Sequence, residues 1–317
     1  MTQPTVQGFF DPTTWTITYL VYDPASLDAV IIDPVLDYDV LSSQTSLSSL
    51  QTVIDQLLEK GLRLRAVLDT HAHADHLSGA QYLSARFSVP VGIGKDISLV
   101  QQTFAKVFNL PSDVSLDGSQ FDILLEAGKT YDFGTLEVRP LSTPGHTPAC
   151  LSYLIGDAVF TGDALFMHDY GTGRVDFPAG SAYDLYESVS QTLYSLPDTT
   201  RVFVGHDYQP GGRDVRFEST IALEKSDNVQ LPASRSEAEF VKLRNQRDDT
   251  LRPPRLIYQS IQVNAFGGKL PAPESNGMRY LKMPLNMRER TDELGQPVVK
   301  PDAPETSAAS ALETGLA

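Results

Sequence analysis

The run THAHADH, residues 70–76, constrains this chain more than any other stretch, because three of its six histidines stand there around a carboxylate. The apolar residues just before it, Arg65 to Leu68, read as a strand that feeds straight into the run. At a strand end, His71 and His73 are two apart, so extended geometry points both rings to one side. Asp75 and His76 follow on the turn and face the same cavity from another direction. Imidazole and carboxylate groups suit Zn, Fe or Mn, and the absence of thiolates excludes a Cys-rich structural zinc site.

The same event recurs along the chain. Leu136 to Leu141 leads into STPGH with His146, where Pro144 and Gly145 make the turn that aims the ring. Ala158 to Phe160 leads into TGDALF with Asp163, and Arg201 to Val204 runs into GHDY with His206. Taken singly, each is an ordinary polar residue that finds a partner. Taken together, five of the six histidines arrive at strand ends, and coincidence is the poorer account. Strand-end loops gathered on one side of a sheet are where layered α/β proteins build active sites.

Other segments fill in the organisation. Trp15 to Tyr22 and Ala29 to Asp33 read as strands, and Val89 to Ile93 and Cys150 to Ile155 as two more. Leu47, Leu50, Val53, Ile54, Leu57 and Leu58 fall at helical spacing with Gly61 as a stop. Helices are also expected over Gly79 to Phe87 and Ala182 to Leu196, the latter with Ser181 and Asp184 as a capping pair. After Gly212 the style changes. Ser236 and Glu239 form a capping box ahead of a helix expected from Glu239 to Leu251, and Pro-, Gly- and Asn-rich sequence beyond it suits extended wrapping. The expected division is a catalytic domain over 1–212, a C-terminal extension over 213–300 packed on it, and a disordered tail over 301–317.

Bulk properties exclude several function classes. The net charge of −15 argues against a nucleic-acid or anionic-membrane surface. No apolar run is long enough to span a bilayer, and no Lys or Arg precedes Lys60, so neither a secretory nor an Arg-rich transit leader is expected. The lone cysteine, Cys150, rules out a disulfide within the chain and fits a reducing, cytoplasmic setting. Cys150 itself reads as a small buried hydrophobe. The glycines of VGIGKD, residues 91–96, lack the rest of a phosphate-loop pattern.

HxHxDH, then a lone histidine, an aspartate in TGD and another lone histidine resembles the ligand order of metallo-β-lactamase-fold proteins, over about residues 9–210. The resemblance implies an α/β (α+β) fold, an αββα sandwich with the site at one edge of its two sheets. It leaves the reaction open, since this fold hosts thioesterases, lactonases, nucleases, flavoprotein oxidoreductases and sulfur dioxygenases. FFDPTTWTITYLVYD, VIIDPVLDYD and GTGRVDF are similar to segments of the persulfide dioxygenases and their bacterial relatives. That likeness implies one Fe(II) per chain held by His71, His146 and Asp163, a facial triad with three positions left for O₂ and a substrate sulfur. The implied substrate is glutathione persulfide or a similar small persulfide, converted with O₂ to sulfite and thiol. Arg174 matches the family's arginine that grips glutathione, and Tyr208 its tyrosine near the substrate. Asp75 and His76 are then expected to orient ligands through hydrogen bonds, with His73 and His206 beside them.

Two departures stand out. The loop Met167 to Thr172 is longer than in the animal-type enzymes and holds His168, read as a loop residue outside the ligand set. The sequence after Gly212 resembles a bacterial branch whose C-terminal segment, NAFGGKLPAPESNGMRYLKMPLN here, wraps the body. The rival reading is a glyoxalase-II-like thioester hydrolase with two Zn(II) or mixed Fe/Zn. One metal would then take His71, His73 and His146, the other Asp75, His76 and His206, and Asp163 would bridge them. The intact ligand set argues against a non-catalytic protein, and a homo-oligomer is the expected assembly.

Overall fold

The computed structural model describes residues 3–285. Alternation along one strand sets its layering: Ile17, Tyr19 and Val21 are buried in one core, while Leu20 between them is buried in another. A strand buried on both faces must lie inside a layered structure.

The first half runs β1 (Thr5–Phe10), β2 (Ile17–Tyr22), β3 (Asp28–Ile32), β4 (Val35–Asp39), β5 (Gln44–Ser46), α1 (Ser48–Glu59) and β6 (Arg63–Leu68). It continues through β7 (Leu77–Ser78), α2 (Ala80–Phe87), β8 (Val91–Gly94), α3 (Ile97–Val107) and β9 (Ile123–Leu125). The second half holds β10 (Tyr131–Phe133), β11 (Leu136–Ser142), β12 (Leu151–Ile155), β13 (Ala158–Phe160), α4 (Ala182–Glu187) and β14 (Arg201–Phe203). Then come β15 (Glu218–Thr220), α5 (Ile221–Asp227), α6 (Glu237–Asp248) and α7 (Ile257–Asn264).

Two six-stranded sheets result, ordered β1-β2-β3-β6-β8-β9 and β10-β11-β12-β13-β14-β15, with a small sheet β5-β4-β7 beside them. The large sheets share one core, in which Tyr19, Val30 and Leu68 meet Val138, Tyr153 and Phe160. Apolar faces of α1, α2, α3 and α7 cover the outside of the first sheet, and those of α4 and α6 the outside of the second. This is an αββα sandwich. No helix of the described residues is long and apolar enough to cross a membrane.

Several elements differ from the sequence expectation. The helix expected from Glu239 starts at Glu237 and ends at Asp248, since a capping Ser236 puts the first helical residue immediately after itself. The helix after Ser181 turns π-helical over Ser188–Leu193, and the Ser181 hydroxyl accepts from the Asp184 N–H. Helix α7 occupies part of the stretch expected to be extended. Its buried face mixes Ile261 and Val263 with Gln259, Ser260 and Asn264, so polar residues hide the helical period. Strand β15 is the edge of the second sheet, which therefore continues beyond residue 212. The tail over 301–317 lies outside the described residues.

Candidate metal centre

Four ligand-bearing loops leave the same edge of the sandwich for a topological reason. Strands β3 and β6 are parallel, and so are β13 and β14. Strand β11 is antiparallel to β12, and β12 to β13, so β11 points the same way as β13. His71, His146, Asp163 and His206 follow β6, β11, β13 and β14 respectively. A bridge between Thr16 and His206, with Ile17 N–H donating to Gly205 C=O at 2.9 Å, stitches the two sheets together at that edge.

The side chains converge as their spacing suggested. Ligand atoms of His71, His146 and Asp163 all lie within 4.8 Å of one another, and so do those of His73, Asp75 and His76. His206 joins the groups, with Nε2 3.2 Å from Asp163 Oδ1 and 3.7 Å from Asp75 Oδ2. His168 stays outside both groups.

The donor set fits a cation. Nε2 of His71, His73, His76 and His206 and Oδ1 of Asp163 are buried without a hydrogen-bond partner. The 3.0 Å approach of His73 Nε2 to Asp33 Oδ1 therefore lacks the alignment of a hydrogen bond. An unpaired buried polar atom costs about 1–3 kcal/mol, so several around one point mark a site shaped for something else. The residues present suit a divalent metal bound by nitrogen and oxygen.

Neighbouring groups fix which atoms are presented. His71 Nδ1 sits 3.0 Å from Thr70 Oγ1, and Thr70 donates through its N–H and hydroxyl to Asp33 at 2.7 and 2.9 Å. His146 Nδ1 donates to Arg174 C=O at 2.7 Å, which leaves Nε2 for the cluster. Asp75 Oδ2 accepts from the Thr16 hydroxyl at 3.0 Å and lies 3.0 Å from His76 Nδ1. Two glycines are required by this crowding. Gly145 has φ +138, and a Cβ there would lie 2.4 Å from Leu185; Gly162 has φ +49, and a Cβ would meet Thr70 Oγ1 at 2.6 Å.

Electrostatics follow from burial and from this density of charge. Burial opposes ionisation of Asp163, but His206 and His146 outweigh it and hold the carboxyl well below its usual range. Burial, then the charge on His73, pushes His71 down and keeps its imidazole neutral. His73 goes the other way: burial is overcome by Asp33, which lifts it to about 10.

Arg174 and Tyr208 flank the cluster on different sides. Tyr208 stacks on His206, with ring centroids 5.6 Å apart, and lines a cavity of about 500 Å³ with Trp15, Tyr38, Asp75 and His76. Arg174 lines a cavity of about 210 Å³ with His146, Phe177 and Tyr258, and Pro254 borders both. Arg174 is buried; its Nε and Nη2 donate to the two oxygens of Asp176, and Nη1 donates to Arg252 C=O. Cys150 is buried with Sγ 3.1 Å from Thr147 Oγ1, and burial pushes its thiol up to about 12.

Several contributors carried no motif. Asp33 could have been found by the strand-end rule, because it follows β3 as the ligands follow their strands. Thr16 had no such signal, since its hydrogen bond to Asp75 is made across the fold.

A model of the metallo-β-lactamase superfamily matches residues 18–206. A probable metallo-hydrolase of Burkholderia pseudomallei is 47% identical over 292 residues, covering 89% of this chain and 99% of the relative. Human mitochondrial persulfide dioxygenase ETHE1 is 35% identical over 240 residues, covering 75% and 79%. The crystal structure of ETHE1 from Myxococcus xanthus superposes with a TM-score of 0.67 at 33% identity, covering 84% of this chain and all of that one. With its strand-end ligand order, its αββα layers and these likenesses, the chain belongs to the metallo-β-lactamase superfamily.

Proposed function

We propose that the protein is a persulfide dioxygenase with a single Fe(II) held by His71, His146 and Asp163. The observation that supports this reading is how His71, His146 and Asp163 are presented. His71 and His146 each engage Nδ1 elsewhere and present Nε2 beside Asp163 Oδ2, at 3.9 and 3.5 Å, so the three donors face one point. Asp75 Oδ2 is already shared between Thr16 and His76. These three residues would hold Fe(II), which would supply the electron transfer that O₂ requires.

The overall reaction balances as persulfide, O₂ and water giving thiol, sulfite and two protons. The terminal sulfur loses four electrons and O₂ gains them. The chain's own residues bind and orient. Three of the five N–H groups of Arg174 are engaged, which leaves two for a ligand carboxylate in the cavity beside His146. Burial raises the Tyr208 hydroxyl well above its ordinary range, so it acts as a neutral hydrogen-bonding group. Phe104, Phe177 and Tyr258 give the smaller cavity apolar walls that limit water beside His146.

A two-metal thioester hydrolase is the second reading, favoured by the His73, Asp75 and His76 group and by the relative named as a probable metallo-hydrolase. Oxygen uptake separates the two. Fe(II)-loaded protein is expected to consume O₂ and form sulfite when glutathione persulfide is added. Absence of uptake from well-loaded protein, with turnover of a glutathione thioester, would replace the first reading by the second. Arg174→Ala is expected to raise KM for the persulfide at least tenfold and keep its metal, whereas Tyr208→Phe changes KM little. A larger KM effect at Tyr208 would move the carrier thiol to the larger cavity.

A further inference from the structure

Helix α7 supplies no ligand, yet its last residue touches the backbone between His73 and Ser78 at three points. Asn264 is completely buried. Its Oδ1 accepts from Ser78 N–H at 2.8 Å, and its Nδ2 donates to His73 C=O at 2.8 Å and to His76 C=O at 2.7 Å. Both N–H groups of the carboxamide and its carbonyl are thus spent on one loop. The end of the helix is anchored as well, because Gln101 on α3 donates to Ala265 C=O at 2.8 Å and accepts from Gly118 N–H at 2.9 Å. Gln101 is itself completely buried, so the anchor is a fixed one.

We propose that Asn264 is a positioning residue for the metal centre: its carboxamide fixes the backbone from His73 to Ser78, and so the directions of His73, Asp75 and His76 beside His71. The shape of the group makes it specific. Only a planar amide offers two donors and an acceptor in this fork. The substitution Asn264→Asp would keep the size and the acceptor facing Ser78 but set a second oxygen against two carbonyls. The inference rests on the cluster being a metal centre to which His73, Asp75 and His76 contribute, as ligands or through hydrogen bonds to the ligands.

The test is titration of the full-length, metal-free protein with Co(II), read by its d–d absorption against a competing chelator. Wild type, Asn264→Asp, Asn264→Ser and Val263→Ala are compared, and each variant's Tm is measured without metal. Val263→Ala thins the buried face of the same helix without touching the loop. Asn264→Asp is expected to lose at least tenfold in Co(II) affinity and to change the absorption band, with Asn264→Ser intermediate. Val263→Ala is expected to lower Tm while keeping wild-type affinity and band. Wild-type binding and spectrum in both Asn264 variants would overturn the proposal, as would an equal loss of affinity in Val263→Ala. Should Asn264→Asp fold poorly, Asn264→Ser is judged by the same criteria. Failure of the wild type itself to bind Co(II) would instead refute the metal centre.

Discussion

The loops that carry the ligands and the segment that follows residue 213 divide one task between them. The loops supply every residue of the cluster. The later segment supplies buried polar side chains that grip those loops. Asn228 Nδ2 donates to Gly171 C=O, Gln230 Nε2 to Tyr170 C=O and Arg244 Nη1 to Thr172 C=O. Asp248 accepts from Val175 N–H, and the Arg252 carbonyl accepts from Arg174. A residue that is to bind a cation must leave an atom unpaired, so it cannot spend that atom on holding its own loop. Holding is done by side chains distant in sequence, and the chemistry is read in one region while its geometry is fixed in another.

The largest expected effect lies on the ligand side. Asp163→Ala should abolish stoichiometric metal binding, measured by elemental analysis after loading, and leave the far-UV circular dichroism unchanged. The folded body survives because the change removes one carboxylate from a site where several buried atoms already lack partners. Full metal content in this variant would break the division by showing that the remaining ligands suffice.

Next comes the holding side. Arg244 and Asp248 form a buried ion pair one helical turn apart, and Asp248 also accepts from Val175 N–H at 2.8 Å. Asp248→Ala strands a buried guanidinium and should cost about 3–5 kcal/mol in urea unfolding. The double variant Arg244→Met with Asp248→Leu removes both charges and should recover most of that loss. It leaves Val175 N–H and Thr172 C=O without their partners, so weakened binding of the proposed persulfide substrate should persist. Equal stability of the single and double variants would mean that the pair contributes little, and normal binding in the double variant would mean that the loop holds itself.

How much of this was legible follows the same division. Ligands are legible because metal chemistry restricts residue type and strand ends restrict position: His71, His146, Asp163 and His206 each follow an apolar strand. The layered fold is legible through the same residues, since their order resembles that of metallo-β-lactamase-fold proteins and implies the αββα sandwich. Asn264 was not legible. An asparagine in IYQSIQVN has no preferred spacing to THAHADH, and its contacts span 186 to 191 residues of chain. Helix α7 was hidden for the reason that makes it useful, because its inward face is partly polar. The Arg174 fork was legible as a chemical group but not as one already engaged by Asp176, since that depends on a rotamer.

The smallest predicted effect tests whether proton-linked stability resides in the holding segment. Glu224 on α5 is completely buried; one oxygen accepts from Asn228 Nδ2 at 2.8 Å, and Oε1 has no partner. Burial pushes its carboxyl up to about 7, with Ser219 and Asn228 opposing. In the unfolded chain the group titrates near 4.3. Between these values the folded state holds a proton that the unfolded state has released, so stability falls as pH rises and levels off above about 7. Glu224→Gln removes that slope. Relative to wild type, the variant should gain roughly 2–3 kcal/mol between pH 4 and pH 8, by urea unfolding with metal in excess. Saturating metal keeps the cluster's own titration the same in both proteins. A difference that stays constant with pH would return the proton-linked cost to the ligand loops, where the packed histidines would then have to carry it.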